Sequence, residues 1–138
     1  MLEGSGFMPF VNIKQRTVTN WTPVSYTANE TTAIMPVHAG EMVIAAFVRI
    51  RTAFDGGNSD AAIDLGDGGD TNRLVENADL TETTAGLYHG SGAGTADDFG
   101  HLYTADDTID VVFTADTGAD GTVGAADIWI WYVTVEPH

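Results

Sequence analysis

Short runs of apolar, β-branched and aromatic residues recur along this chain, and clusters of Gly, Asp and Asn separate them. Runs of this length between such turn residues are typical of antiparallel β-sheet proteins. No segment keeps an apolar period of 3.6 residues, and the best candidate for a short helix is 75–81. The pattern therefore predicts an all-β chain, an antiparallel β-sandwich or jelly roll of about eight strands. The candidate strands are 17–21, 24–26, 31–35, 41–54, 61–65, 73–75, 86–89, 100–104, 108–115 and 126–135.

The last of these strands is apolar on both faces. Side chains alternate across a strand, which puts Ile128, Ile130, Tyr132 and Thr134 on one face. The opposite face carries Asp127, Trp129, Trp131, Val133 and Val135. A chain of this size has one interior, so the second apolar face needs another cover. We expect Trp129, Trp131 and Val133 to form an oligomer interface.

Two other strands indicate how the core is filled. Strict alternation in strand 41–54 predicts one face with Ile44, Ala46, Val48, Ile50, Thr52 and Phe54. It assigns the other face to Val43, Ala45, Phe47, Arg49 and Arg51. In strand 108–115 the inward residues are Ile109, Val111, Phe113 and Ala115. These residues suffice for a hydrophobic core, because each buried Ile, Val or Phe contributes roughly 1.5–3 kcal/mol.

Composition and charge narrow the classes of function. The 138 residues carry a net charge of −15 and contain no cysteine, so disulfides and thiolate chemistry are excluded. Residues 1–54 are near neutral, whereas residues 55–138 contain seventeen acidic residues and one basic residue, Arg73. Such an acidic surface repels phosphates and anionic lipids, so we expect no nucleic-acid or membrane partner. No apolar run approaches the length of a membrane span. Residues 1–16 are predicted to form a flexible, extended N-terminal arm, followed by one domain at 17–138.

Two acidic segments are candidates for binding a cation. Residues 116–127 resemble the calcium loop of EF-hand and dockerin modules, with Asp116, Asp120 and Asp127 at ligand positions and a Gly at the sharp bend. The alternative is a hairpin loop shaped by Asp and Gly. Residues 60–73 carry four carboxylates, for which we favour turn capping, with Arg73 as their counter-ion. No nucleophile elbow or phosphate loop occurs, and we expect no enzyme activity.

A family resemblance follows from one further segment. Residues 63–75, in which a strand ends in an acidic Gly-Asp loop before Arg73, resemble small β-rich virion proteins of tailed bacteriophages. The plan of a loose arm followed by an Ala/Gly/Thr-rich β domain is also similar to these proteins. They include head decoration (cement) proteins, which commonly form trimers on the capsid exterior.

The resemblance implies a structural virion protein on the outer surface of the capsid, a homotrimer whose partner is the major capsid protein. We expect its arm to contact that partner through Phe10, Val11, Ile13, Lys14 and Arg16. The alternative is a carbohydrate- or receptor-binding β-sandwich module, with calcium as an optional ligand, in which exposed aromatic side chains form the binding platform.

Overall fold

The computed structural model describes residues 12–57, 60–90 and 100–135. Within these ranges it contains eight β-strands, whose pairs are all antiparallel, and one short 3₁₀ helix, Asn77–Asp79, between the fourth and fifth strands. The strands in chain order are β1 (Lys14–Trp21), β2 (Glu30–Val37), β3 (Glu41–Thr52), β4 (Ala62–Gly66), β5 (Gly86–His89), β6 (His101–Leu102), β7 (Asp107–Thr114) and β8 (Ala125–Thr134).

The strands form two sheets that pack face to face. The larger sheet has the order β1-β8-β3-β5, and β6 pairs with the beginning of β3. The smaller sheet has the order β2-β7-β4. The predicted antiparallel β-sandwich of about eight strands is therefore confirmed. In this order the most apolar strand, β8, lies inside the larger sheet, paired with β1 on one side and β3 on the other.

The core lies between the inner faces of the two sheets. Ile128 and Ile130 of β8 are completely buried, and so are Ile109 and Val111 of β7, as alternation predicted. At one end of the sandwich, tilted aromatic contacts close the core; the rings involved are Trp21, Tyr26, Phe54 and Phe113, with centroids 5.8–6.5 Å apart. This core uses one face of β8 only, which leaves the other face outside the sandwich.

Strict alternation was wrong for Val43. This side chain is completely buried, because a register shift between Val43 and Ala45 returns Val43 to the inner face opposite Tyr132. A bulge of this kind inserts one residue and changes the face on which the following side chains lie. Beyond it, Ala46, Val48 and Ile50 point inward as predicted.

Two predicted strands and the predicted helix also differ from the structure. Residues 24–26, which follow Pro23, form a bend and a turn. Residues 73–75 contribute only an isolated bridge between Val75 and Leu65, because the chain returns tightly onto the end of β4. The helix predicted at 75–81 is limited to Asn77–Asp79. No helix among the described residues is long and apolar enough to cross a membrane.

Candidate interaction surface

The face of the larger sheet that points away from the core is here called the outer face. Cross-strand register brings its aromatic residues together: Phe47 of β3 is paired with Trp129 on one side and with His89 on the other. The Phe47 ring stacks on Trp129, with centroids 5.2 Å apart and planes 18° apart. It also contacts Trp131, at a centroid distance of 4.8 Å, and the edge of His89, at 6.4 Å. Such pairs order their rings before any partner binds.

The aromatic residues of the outer face are accessible to solvent. Trp131 is 38% exposed. Leu87 of β5, which is paired with Arg49 of β3, is 60% exposed. Trp129 is half-buried, and Phe47 stacks on it. Phe47, Trp129 and Trp131 thus form one connected, partly exposed aromatic group on the outer face. A patch of this kind on a sheet surface is typical of a protein–protein contact.

The outer face continues as an apolar surface toward the beginning of β3. Met42 is paired with Val133 on β8 and with Leu102 on β6, and Leu102 is partly exposed. A cleft of about 420 Å³ lies beside this end of the sheet. Its lining residues are Ala39, Gly40, Leu102, Tyr103, Thr104 and Val135. The predicted interface residues Trp129, Trp131 and Val133 therefore share one surface with further apolar neighbours.

The polar residues of the outer face are held by specific contacts. Gln15 accepts a hydrogen bond from the indole Nε1 of Trp131, at 3.0 Å, and so fixes the orientation of that ring. At the other end, Arg51 donates to both carboxylate oxygens of Asp127, at 2.9 and 3.2 Å. Hydrogen bonds from Arg51 and from the backbone N–H of Asn20 hold the pKa of Asp127 below its ordinary value. The strand residues of this face include this single carboxylate, in a chain with twenty acidic residues.

The described residues of the predicted capsid-binding arm are Ile13, Lys14 and Arg16. Phe10 and Val11 lie outside the described residues. Ile13 is 58% exposed, just before β1, and Lys14 is the exposed first residue of that strand. Arg16 forms a two-pronged ion pair with Glu41, at 2.5 and 2.7 Å, and its guanidinium lies 4.1 Å from the Tyr132 ring centroid.

The Arg16–Glu41 pair is part of the fold. The hydrogen bond from Arg16 lowers the pKa of Glu41 and raises that of Arg16. Glu41 also accepts the backbone N–H of His38, at 2.9 Å, so this carboxylate closes the turn between β2 and β3. Three residues of the predicted arm, 14–16, are therefore paired with β8, and a test of the arm has to leave β1 intact.

The three residues of the predicted calcium loop lie in different environments. Asp127, on β8, accepts hydrogen bonds from the Arg51 side chain and from the backbone N–H of Asn20. Asp120 is exposed and accepts the backbone N–H of Gly57, at 2.5 Å. Asp116 is buried. Within the described ranges no three His, Asp or Glu side chains lie close enough together to hold a metal ion, and this cation site stays a prediction.

Within segment 60–73, Asp67 and Asp70 cap turns, as predicted, whereas Asp60 and Asp64 accept hydrogen bonds from outside the segment. Asp67 accepts the backbone N–H groups of Gly69 and Asp70, both at 2.9 Å, and Arg73 is its counter-ion, with Nε 2.6 Å from Oδ2. Burial would raise the pKa of Asp67, but the hydrogen bonds from Arg73, Tyr103 and the backbone outweigh it and lower this pKa. The sequence analysis missed Tyr103, whose hydroxyl donates to Asp67 at 2.7 Å and whose pKa is raised by its own burial.

Comparison with known proteins relates this fold to bacteriophage capsids. A chain of the Cyanophage Pam1 capsid asymmetric unit matches with a TM-score of 0.60 and 15% identity, over 97% of this chain and 91% of that chain. A chain of the acidic stable capsid structure of Helicobacter pylori bacteriophage KHP30 matches with a TM-score of 0.60 and 8% identity, over 93% of this chain and 90% of that chain. No protein-family model and no curated protein matches the sequence. The likeness is one of fold.

Proposed function

We propose that this chain is a structural virion protein, a decoration subunit on the outer surface of a bacteriophage capsid. It assembles as a homotrimer through the outer face and contacts the major capsid protein through its N-terminal arm. The role needs no catalytic group. The observation that carries the proposal is the connected apolar group Phe47, Trp129 and Trp131, which is partly exposed on a sheet whose other face already forms the core.

The shared fold supports the virion role. Both similar structures are chains of bacteriophage capsids, and each likeness extends over nine-tenths or more of both chains. The charge distribution supports the use of the outer face as the contact. Acidic residues dominate residues 55–138, whereas the outer face has Arg49, Arg51 and a single, paired carboxylate, Asp127. Copies that repel one another elsewhere can approach through this face.

Solution mass tests the assembly. The full chain, measured by light scattering at micromolar concentration, should give the mass of three subunits. Trp131→Glu places a charge among the apolar side chains of the outer face and should give the mass of one subunit. The matched control is Val24→Glu, which makes the same charge change at a side chain that is 93% exposed outside the strands. A wild-type chain that stays monomeric at all concentrations would contradict the trimer.

Cosedimentation with capsid shells that lack this chain tests the virion role. The wild-type chain should sediment with the shells, and a variant without residues 1–13 should not. The deletion ends before Lys14, so β1 and its pairing with β8 are kept. Equal binding by both proteins would contradict the role of the arm, and binding by neither would contradict decoration of that shell.

The exposed aromatic group also supports the second candidate, a carbohydrate-binding module. Trp131 lies beside Gln15, and ligand sites combine aromatic side chains with a few placed polar groups such as amides. Trp21 and Tyr103 are too buried to serve as a binding platform, since they are 7% and 4% exposed. Binding to immobilised glycans by a monomeric chain, lost in Trp131→Glu, would favour this function over assembly.

A further inference from the structure

The loops at one end of the sandwich are joined by carboxylates that accept hydrogen bonds. Asp55, after β3, accepts the backbone N–H groups of Thr122 and Val123 at 2.6 and 2.8 Å. Asp60, before β4, accepts the backbone N–H of Thr117 at 2.7 Å. These two carboxylates link the β3–β4 connection to the β7–β8 connection. Their hydrogen bonds account for their positions without any ligand.

Asp116 differs from these carboxylates. Its side chain is 3% exposed, and its Oδ2 accepts the backbone N–H of Gly118 at 3.1 Å. Its Oδ1 is enclosed and has no hydrogen-bond partner among the described residues. A buried carboxylate oxygen without a donor is costly, since it loses its hydration and receives nothing in return.

Oδ1 of Asp116 and two backbone carbonyl oxygens lie around one point beside Gly121. A Cβ built on Gly121 would lie 3.0 Å from the carbonyl oxygen of Asp55 and 3.2 Å from that of Tyr26. The same position lies 3.5 Å from Oδ1 of Asp116. Three oxygens from three separate segments therefore converge beside Gly121, which is itself buried. Oxygens that face one another with partial or full negative charge repel each other unless a cation lies between them.

The β3–β4 connection can pack closely against the Asp116 carboxylate because the residue next to this carboxylate is a second glycine, Gly56. A Cβ on Gly56 would lie 2.6–2.9 Å from the carboxylate atoms of Asp116, a separation that real Cβ atoms do not show. Gly56 has a φ of 145°, which side-chain-bearing residues rarely adopt. The glycines at 56 and 121 thus leave room for Asp116 to reach the two carbonyl groups.

We propose that a calcium ion binds between Oδ1 of Asp116 and the carbonyl oxygens of Asp55 and Tyr26, with water completing its coordination. Calcium takes six to eight oxygen ligands and accepts carbonyl groups in flexible geometry, whereas magnesium requires a near-ideal octahedron. With a single carboxylate, the site has an affinity on the order of 0.1–1 mM, the range of extracellular calcium modules. The net charge of −15 raises the local concentration of cations around it.

This site differs from the calcium loop predicted by spacing. It shares Asp116 only, and it uses carbonyl groups in place of Asp120 and Asp127. A bound ion would connect three chain segments: the β1–β2 connection through Tyr26, the β3–β4 connection through Asp55, and the β7–β8 connection through Asp116. It does not depend on the proposed virion role, because the ligands lie within one subunit.

Thermal unfolding of the full chain tests the proposal. About 10 mM calcium chloride should raise the midpoint by roughly 5 °C relative to chelator, beyond the effect of magnesium or sodium chloride at equal ionic strength. Asp116→Asn should lose this shift. It should be at least as stable as the wild type in chelator, because its amide can donate to the carbonyl oxygens. Asp120→Asn, which removes the same charge from an exposed position of the same loop, should keep the shift.

Terbium luminescence gives a second readout that does not require unfolding. Terbium replaces calcium at oxygen sites and should be sensitised by Tyr26, whose carbonyl group is a ligand. Calcium should displace it in the wild type and in Asp120→Asn. If Asp116→Asn does not fold, Gly121→Ala replaces it, since its methyl group would occupy the space beside the three oxygens. A calcium response in Asp116→Asn or Gly121→Ala equal to that of the wild type would overturn the proposal and indicate an adventitious ion only, as would a wild type that does not respond.

Discussion

Arg73 holds the buried carboxylate of Asp67 with its Nε 2.6 Å from Oδ2, within a segment of seven residues. Tyr103 donates to the same oxygen from a strand-to-loop junction some thirty residues further along, and Gly69 and Asp70 donate to Oδ1. The carboxylate is thus fully partnered although it is 2% exposed. A buried charge is tolerated when it is paired and hydrogen-bonded in this way.

Removing Arg73 should therefore destabilise the fold strongly. Arg73→Met keeps much of the apolar stem but leaves Asp67 buried without its counter-ion, which should lower the free energy of unfolding by about 3–5 kcal/mol. Urea denaturation measures the change. Lys14→Met also replaces a cation by methionine, at the exposed first residue of β1, and should change this free energy by less than about 1 kcal/mol. Equal losses in the two variants would show that the Asp67–Arg73 pair is not special.

This network shows how far the sequence predicts a site. The turn capping by Asp67 and its pairing with Arg73 were predictable because they depend on spacing within one loop. Tyr103 was not, because its contact depends on the pairing of β6 with β3, which no local pattern specifies. Sequence spacing pointed to Asp116 as a cation ligand, but not to the two carbonyl groups proposed beside it, because these belong to distant segments of the chain.

The faces of the strands were predictable where the ladder is regular. Alternation alone predicted that Trp129 and Trp131 lie on one face of β8 and that Ile128 and Ile130 lie on the other, and the structure agrees. The alternation rule failed at Val43, because a bulge adds one residue to the strand there. No Gly or Pro in the sequence marks the position of this bulge. Sequence patterns thus predicted the outer face correctly, but not where its boundary lies at the beginning of β3.

The pH dependence of stability should have a maximum on the acid side of neutrality. Burial raises the pKa of Glu82 and of Asp64, so protonation of these residues favours the folded state. The stability that protonation adds is complete below the pKa of the unfolded state and is lost as pH rises through the pKa of the folded state. Hydrogen bonds lower the pKa of Asp67, and those from Thr122 lower that of Asp55 to about 2. The stability these two contribute is present above their ordinary value of 3.8 and lost as pH falls through the folded value.

Urea midpoints across the pH range measure this profile. The urea midpoint should rise as the pH is lowered from about 7 to about 5, and it should decrease as the pH is lowered below about 4. Glu82→Gln retains an oxygen that can accept the N–H of Ile63 and should reduce the rise. Asp106→Asn, which neutralises an exposed carboxylate, should keep it. A rise of unchanged size in Glu82→Gln would contradict the role assigned to that residue.

Two neighbouring glycines should respond differently to alanine. A Cβ on Gly66 would collide with the backbone of Asp70 and Thr71, and backbone atoms there cannot move without opening the Asp67 turn. Gly66→Ala should lower the free energy of unfolding by about 1–3 kcal/mol. At Gly68, two residues away and exposed, a Cβ would make an ordinary contact with Asp107, at 3.6 Å, so Gly68→Ala should change it by less than about 0.5 kcal/mol. Denaturant midpoints compare the two, and equal effects would contradict the close packing at residue 66.

Salt should strengthen the proposed assembly. Each subunit adds a charge of −15, so the subunits repel one another at low ionic strength, whereas the outer face that joins them is mainly apolar and gains little from charge attraction. The Debye length falls from about 14 Å at 0.05 M salt to about 4 Å at 0.5 M, which screens the repulsion. Light scattering at a fixed subunit concentration should therefore show a larger trimer fraction at about 0.5 M sodium chloride than at about 0.05 M.

Trp131 reports on the same equilibrium, because its exposed ring should become protected from acrylamide quenching when subunits join, whereas the buried Trp21 contributes a constant background. Quenching should therefore decrease with salt in the wild type and in Val24→Glu. Trp131→Glu has no indole at residue 131, so its assembly is followed by mass. Because it should not assemble, its mass should not change with salt. Dissociation at high salt would indicate that ion pairs, and not the aromatic residues of the outer face, hold the subunits together.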